Sequence, residues 1–176
     1  MQYLLKMTAL SLLCAGVTAC SQTPEQSAAP AVLTPAVPVI QADSRLQAGQ
    51  HLPWQSLTAI DGKPVSLVPG KRQLLIFFAT WCSDSQRAMR QLMASELVKQ
   101  SDLQIIGIGR EEDAAALAQF RSVYQLNFAL VADKDRALYK QVAEKGIPRL
   151  VTVAANGEVR QVILGEVPDV ISQLHW

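Results

Sequence analysis

An α/β domain with a central mixed sheet flanked by helices is the fold this sequence predicts, on three observations. The runs "RQLLIFF" (72–78) and "LQIIGIG" (103–109) lead into continuous apolar stretches of strand length, as in strands buried on both faces. The segments that follow them carry apolar residues at helical spacing, so strands and helices alternate. Two turn signals, Asp61-Gly62 and Asn156-Gly157, each lie between short strand-like runs and place β-hairpins at the two ends of the pattern. A chain of 176 residues suffices for one such domain with a real core.

The leading hairpin, "WQSLTAIDGKPVSLV", is an N-terminal extension ahead of the sheet. The strand at 72–78 runs into a helix expected from Ser83 to Gln100, where Met89, Leu92, Met93 and Leu97 recur on one face. After the strand at 103–109, "EEDAAALAQFRSVYQL" reads as a helix with Leu117, Phe120 and Tyr124 on its apolar face. Its acids fall in the first turn, where the dipole favours them. A strand "FALVAD" and a short helix "RALYKQVAE" follow. "RLVTVAANGEVRQVIL" is a hairpin whose Asn-Gly pair predicts a type I′ turn and an antiparallel edge. "VPDVISQLHW" reads as a closing helix.

The first 48 residues stand outside this pattern. "MQYLLKMTALSLLCAGVTAC" has one cation, Lys6, ahead of an apolar run too short to span a bilayer and of secretory-signal length. It ends in Val17-Thr18-Ala19-Cys20, which resembles the bacterial lipobox, with residues 1–19 cleaved and Cys20 lipidated. Acyl chains anchor a protein at about 0.8 kcal/mol per buried CH2. Ser21 rather than Asp at the next position implies the outer membrane, facing the periplasm. Residues 20–48, rich in Ala, Pro, Gln, Ser and Thr, read as a tether of roughly 30 Å, and 49–176 as the folded domain. The expected setting is the bacterial cell envelope, with contact to the membrane through the lipid anchor.

The formal charge of +1 and the lack of a basic block argue against nucleic acid as a partner. The three cysteines, Cys14, Cys20 and Cys82, lack the spacing of a zinc or iron–sulfur site, and the histidines are His51 and His175 alone. No metal or cofactor is expected. Cys14 leaves with the signal and Cys20 becomes a thioether. Cys82 is then the one free thiol, in a compartment where disulfides persist.

Cys82 falls where a buried strand turns into a helix, and unpaired N–H groups and the dipole at a helix start stabilise a thiolate. Trp81 shields one side, the charge of Asp84 opposes the thiolate, and the Ser85 hydroxyl is placed to donate to it. A lone cysteine is as readily a small buried hydrophobe. Gly146-Ile147-Pro148, just ahead of the terminal hairpin, is a position where an X-Pro bond can be cis.

Together these features resemble the thioredoxin superfamily, in particular its membrane-anchored TlpA/ResA-like branch. The resemblance runs from about Gly49 to Leu174 through "DGKPVSL", "GKRQLLIFFATWC", "QIIGIG", "FALVADKD" and "GIPRLVTVAANGEVRQVILG". It implies a thioredoxin-like fold with Cys82 as nucleophile toward a disulfide, Trp81 flanking it and Pro148 as a cis-proline. It also implies that Ile147 bonds the backbone of an incoming peptide as an added strand.

The departures from that branch decide the chemistry. Ser85 stands where a second, resolving cysteine is usual, and Ser83-Asp84 replaces an apolar or proline dipeptide. Ala88 and Arg90 stand where the branch often has an acid and a proline. Arg149 replaces a small threonine; it is expected to point to solvent, the alternative being to stabilise the thiolate or bind an anion. Without a second thiol, exchange proceeds through intermolecular mixed disulfides with cysteine-containing envelope proteins or a small thiol, or by isomerase-like reshuffling. The alternative is a redox-inactive binding module on a tether. A peroxiredoxin places Thr three residues before its cysteine, whereas Thr80 is two before Cys82, and a copper chaperone of this fold needs a cysteine pair with a histidine.

Overall fold

The computed structural model describes residues 43–176. The expected signal, Cys20 and most of the expected tether lie outside the described residues. The order is β1 (Ser56–Thr58), β2 (Pro64–Ser66), β3 (Arg72–Phe78), α1 (Ser83–Ala94), β4 (Leu103–Arg110), α2 (Ala114–Tyr124), β5 (Ala129–Asp133), α3 (Tyr139–Val142), β6 (Arg149–Val153) and β7 (Val159–Leu164). The main sheet runs β5-β4-β3-β6-β7; β3, β4 and β5 are parallel, and β6 and β7 add antiparallel. β1 and β2 form the separate leading hairpin. This is the thioredoxin-like α/β fold that the sequence predicts.

The apolar run of β3 lies at the centre, with Leu74 through Phe78 fully buried. Alternation sends Leu74, Ile76 and Phe78 to the side of α1 and α2, against Ala88, Met89, Leu92, Leu117 and Phe120. Leu75 and Phe77 face Leu46, Leu57, Tyr139 and Val142. Each large side chain buried this way contributes about 1.5–3 kcal/mol. Gly109 in β4 makes room for α2, since a Cβ there would lie 2.5 Å from Leu117 Cδ2.

Several elements differ from their sequence reading. The first helix ends at Ala94; Ser95 leaves the helical region and caps a 3-10 turn over Glu96–Lys99. Glu111 takes a left-handed φ of 62°, so α2 starts only at Ala114, with the Asp113 carboxylate accepting from Ala116 N–H. The Asn156-Gly157 turn is not type I′, which needs positive φ at both residues; Gly157 alone has it. Ala154 N–H donates to Glu158 O and Gly157 N–H to Ala154 O, a three-residue loop with glycine in the left-handed position. Asp61-Gly62 repeats that pattern between Ala59 and Lys63.

The expected closing helix is only a 3-10 turn over Ile171–Gln173. Beyond it the tail is tied to the sheet: Thr152 donates to His175 O, and Trp176 Nε1 donates to Gln73 O. The chain also joins the fold before Gly49. Ser44 bridges Ala143, and Leu46 is 5% exposed in the core.

Candidate active site

Cys82 stands at the mouth of α1. β3 ends at Phe78, Cys82 N–H closes a turn onto Ala79 O at 3.2 Å, and Cys82 caps the helix with extended backbone. Cys82 is partly exposed, and Trp81 beside it is 67% exposed. The Cys82 thiol donates to Ile147 O at 3.6 Å, and the Ile147–Pro148 peptide is cis. Sheet register brings the two loops together. β3 and β6 are antiparallel neighbours with Phe77 opposite Arg149, so the turn leaving β3 and the loop entering β6 share one end of the sheet.

The nucleophile loop is held by side chains. Thr80 donates both its N–H and its hydroxyl to Glu112 Oε1, each at 2.7 Å, and Gln86 Nε2 donates to Thr80 O at 2.7 Å. Glu112 is buried. The left-handed turn at Glu111 takes Glu112 out of the helix start that the sequence predicts for it and sends it back to Thr80. Ser85, also fully buried, accepts from Ala79 N–H at 3.3 Å. Its oxygen thus holds the loop backbone, a role beyond the donation to the thiolate that the sequence suggests.

Asp84 is paired with Arg87 one helical turn on. Arg87 Nη2 also donates to Glu166 O and Val167 O, both at 3.2 Å. The adjoining Gly165 N–H donates to Pro148 O at 2.7 Å, and a Cβ on Gly165 would lie 2.7 Å from Pro148 Cγ. Arg87 thus links the first turn of α1 to the segment that backs Pro148.

Arg149 does not point to solvent; it is fully buried. β6 alternation explains this, because Arg149 falls on the same face as Val151 and Val153, toward Tyr139 and α3. Its guanidinium donates to Asp43 Oδ2 at 2.9 Å, Ser44 Oγ at 2.7 Å and Lys145 O at 2.7 Å. Tyr139 hydroxyl donates to Gly146 O at 2.6 Å. Burial pushes the Tyr139 phenol above its ordinary value, with Arg149 and Arg110 pulling the other way. Arg110 and Arg136 also lie over the Tyr139 ring, at 5.1 and 5.5 Å.

The sequence-expected residues Trp81, Cys82, Asp84, Ser85, Ile147, Pro148 and Arg149 therefore gather at one end of the sheet. Glu112, Arg87, Tyr139 and Asp43 belong there too and were not anticipated. Glu112 carried the one readable signal: of three successive acids, a helix needs only one as its cap.

A family model described as Redoxin matches residues 47–174. The chain is 27% identical over 127 residues to the thiol–disulfide oxidoreductase ResA of Bacillus cereus (strain ZK / E33L), covering 69% of this chain and 72% of that one. The solution structure of a candidate protein disulfide isomerase from Bacteroides thetaiotaomicron superposes with a TM-score of 0.67 at 24% identity, over 74% of this chain and 87% of that one. A secreted Mycobacterium tuberculosis disulfide oxidoreductase, homologous to E. coli DsbE, does so at 0.58 and 22%, over 67% and 91%. The two structures share the fold. The family model spans most of the chain, and it places this protein in the Redoxin family of the thioredoxin superfamily, with ResA-type thiol–disulfide oxidoreductases among its homologues.

Proposed function

We propose that the protein is a monothiol of the cell envelope that exchanges disulfides through Cys82. The carrying observation is the contact between Cys82 Sγ and Ile147 O, which sets the thiol against the loop edge on which an extended peptide adds as a strand. Cys82 thiolate attacks a substrate disulfide, the Cys82–substrate S–S bond forms, and the other substrate sulfur leaves as thiolate. A second thiol, from the substrate or a small molecule, then attacks that bond and releases Cys82 as thiolate, so no net electrons stay on the protein. Ser85 cannot act as the resolving group, because exchange needs a thiolate and an alcohol forms no disulfide; its oxygen instead accepts from Ala79 N–H. The lipobox-like Cys20 supports anchoring to the membrane, and the substrates are cysteine-containing envelope proteins.

Acid-quenched cells carrying the wild-type chain should yield Cys82-linked partners on non-reducing gels, and Cys82→Ala cells should yield none. A Cys82→Ala variant with full function in cells contradicts the exchange reading. It favours the second reading, a binding module whose fold outlived its chemistry, which rests on Ser85 in the resolving position.

A further inference from the structure

The expected tether ends inside the site. Asp43 and Ser44 both bond the Arg149 guanidinium, which immediately follows Pro148. The same guanidinium donates to Lys145 O, and Tyr139 donates to Gly146 O. Two successive carbonyls of the loop that carries Ile147 and Pro148 are therefore fixed by one buried network, and the carboxylate of that network comes from 106 residues earlier in the chain. Arg149 is fully buried and Asp43 side chain is 20% exposed, so the carboxylate is the solvent-facing end of the pair. Backbone contacts hold Asp43 there: Glu144 N–H donates to Asp43 O at 3.0 Å, and Arg45 N–H to Val142 O at 2.8 Å.

We propose that Asp43 is a positioning residue for the cis-proline loop, acting through Arg149. The chain that leads toward the N-terminus is then a working part of the substrate edge and more than a leash. Neutralising Asp43 removes a carboxylate that fixes the Arg149 guanidinium, so the guanidinium shifts with Lys145 O and Gly146, which moves Ile147 relative to an incoming peptide. Cys82 itself lies on the other loop, whose bonds to Ser85 and Glu112 do not involve Arg149, and of its contacts only the one with Ile147 O shifts. Peptide exchange should suffer while reaction with a small reagent does not. The inference rests on the exchange function proposed above for its kinetic arm, and has a second arm that does not.

The test uses the full chain as wild type, Asp43→Asn, Asp43→Glu and Arg45→Ala. Arg45→Ala breaks the exposed pair with Glu144 in the same segment, at 3.0 Å, and serves as control. Adducts at Cys82 are followed by peptide mapping with iodoacetamide and with two single-cysteine model peptides joined by a disulfide. In Asp43→Asn the peptide rate should fall about tenfold with the iodoacetamide rate undiminished; Asp43→Glu should restore most of it, and Arg45→Ala should match wild type. Equal peptide rates in Asp43→Asn and wild type, or a parallel fall with both reagents, overturn the proposal. Amide hydrogen exchange of the 145–149 loop supplies the second arm. It should accelerate about tenfold in Asp43→Asn and stay unchanged in Arg45→Ala, whether or not the wild type reacts with the peptide. An unchanged loop overturns the positioning role, whereas a wild type inert to the peptide overturns only the exchange function.

Discussion

The two loops that meet at Cys82 are held in opposite ways. The Ala79–Cys82 loop is fixed by neutral donors from its own backbone and from Thr80, directed at Ser85 and at one carboxylate, Glu112, with Gln86 closing the set. Its anchors Ser85 and Gln86 are within six residues. The Lys145–Arg149 loop is fixed by a fully buried guanidinium whose carboxylate lies at the start of the described chain. Losing an acceptor from the first loop strands neutral groups. Losing Asp43 from the second removes a carboxylate from beside a fully buried charge, which costs more in a low-dielectric interior. The loop that binds substrate is thus the more fragile one, and its fragility sits far from it in sequence.

Shortening the chain should give the largest effect. A protein starting at Gly49 loses Asp43, Ser44 and Leu46 together; breaking the buried Arg149–Asp43 pair alone is expected to cost about 3–5 kcal/mol in urea unfolding. Glu112→Ala should cost less, about 1–3 kcal/mol, because Thr80 N–H and hydroxyl lose their shared acceptor. If Glu112→Ala proves the costlier of the two, the contrast between the loops is wrong. Glu112→Gln sharpens it further. An amide oxygen still accepts from Thr80, so the loss should be about 1 kcal/mol or less in the same measurement.

A comparably small effect is expected at Tyr139. Tyr139→Phe removes the bond to Gly146 O, at about 1 kcal/mol near neutral pH. It should also change the pH dependence. Burial raises the phenol above the ordinary value, so the folded chain keeps a proton that the unfolded chain releases first. That stability is fully present below about pH 10 and is lost as pH rises through the folded value. Thermal melts between pH 9 and pH 11, a range of about one unit either side of the ordinary tyrosine value, should fall less steeply for Tyr139→Phe than for wild type.

Much of this was legible in the sequence, and the rest fails for identifiable reasons. Apolar runs at 72–78 and 103–109 mark the central strands because burial on both faces leaves no other composition. Cys82 and Pro148 read as one site through a resemblance, and β3–β6 register supplies the physical reason. The burial of Arg149 was readable from Val151 and Val153 by alternation, but a charged side chain invites the solvent reading. Asp43 was not readable, since composition around it matches a linker and its partner is 106 residues away. Apolar spacing in Val167, Val170, Ile171 and Leu174 suggests a helix, yet the tail is set by hydrogen bonds of His175 and Trp176 to the sheet. Asn156-Gly157 marks a hairpin correctly; the loop type depends on Asn156 φ, which the dipeptide does not determine.

The most direct measurement is the fate of a mixed disulfide on the full chain. Wild type and Ser85→Cys are each treated with two single-cysteine peptides joined by a disulfide, the released peptide thiol is removed by desalting, and the products are followed by mass spectrometry with peptide mapping. Wild type should hold one peptide on Cys82 until a second thiol is added. Ser85→Cys should shed it unaided, leaving an intramolecular disulfide between positions 82 and 85. A wild-type chain that takes up no peptide at Cys82, or that sheds it as fast as Ser85→Cys, contradicts the assignment of Cys82 as a monothiol nucleophile.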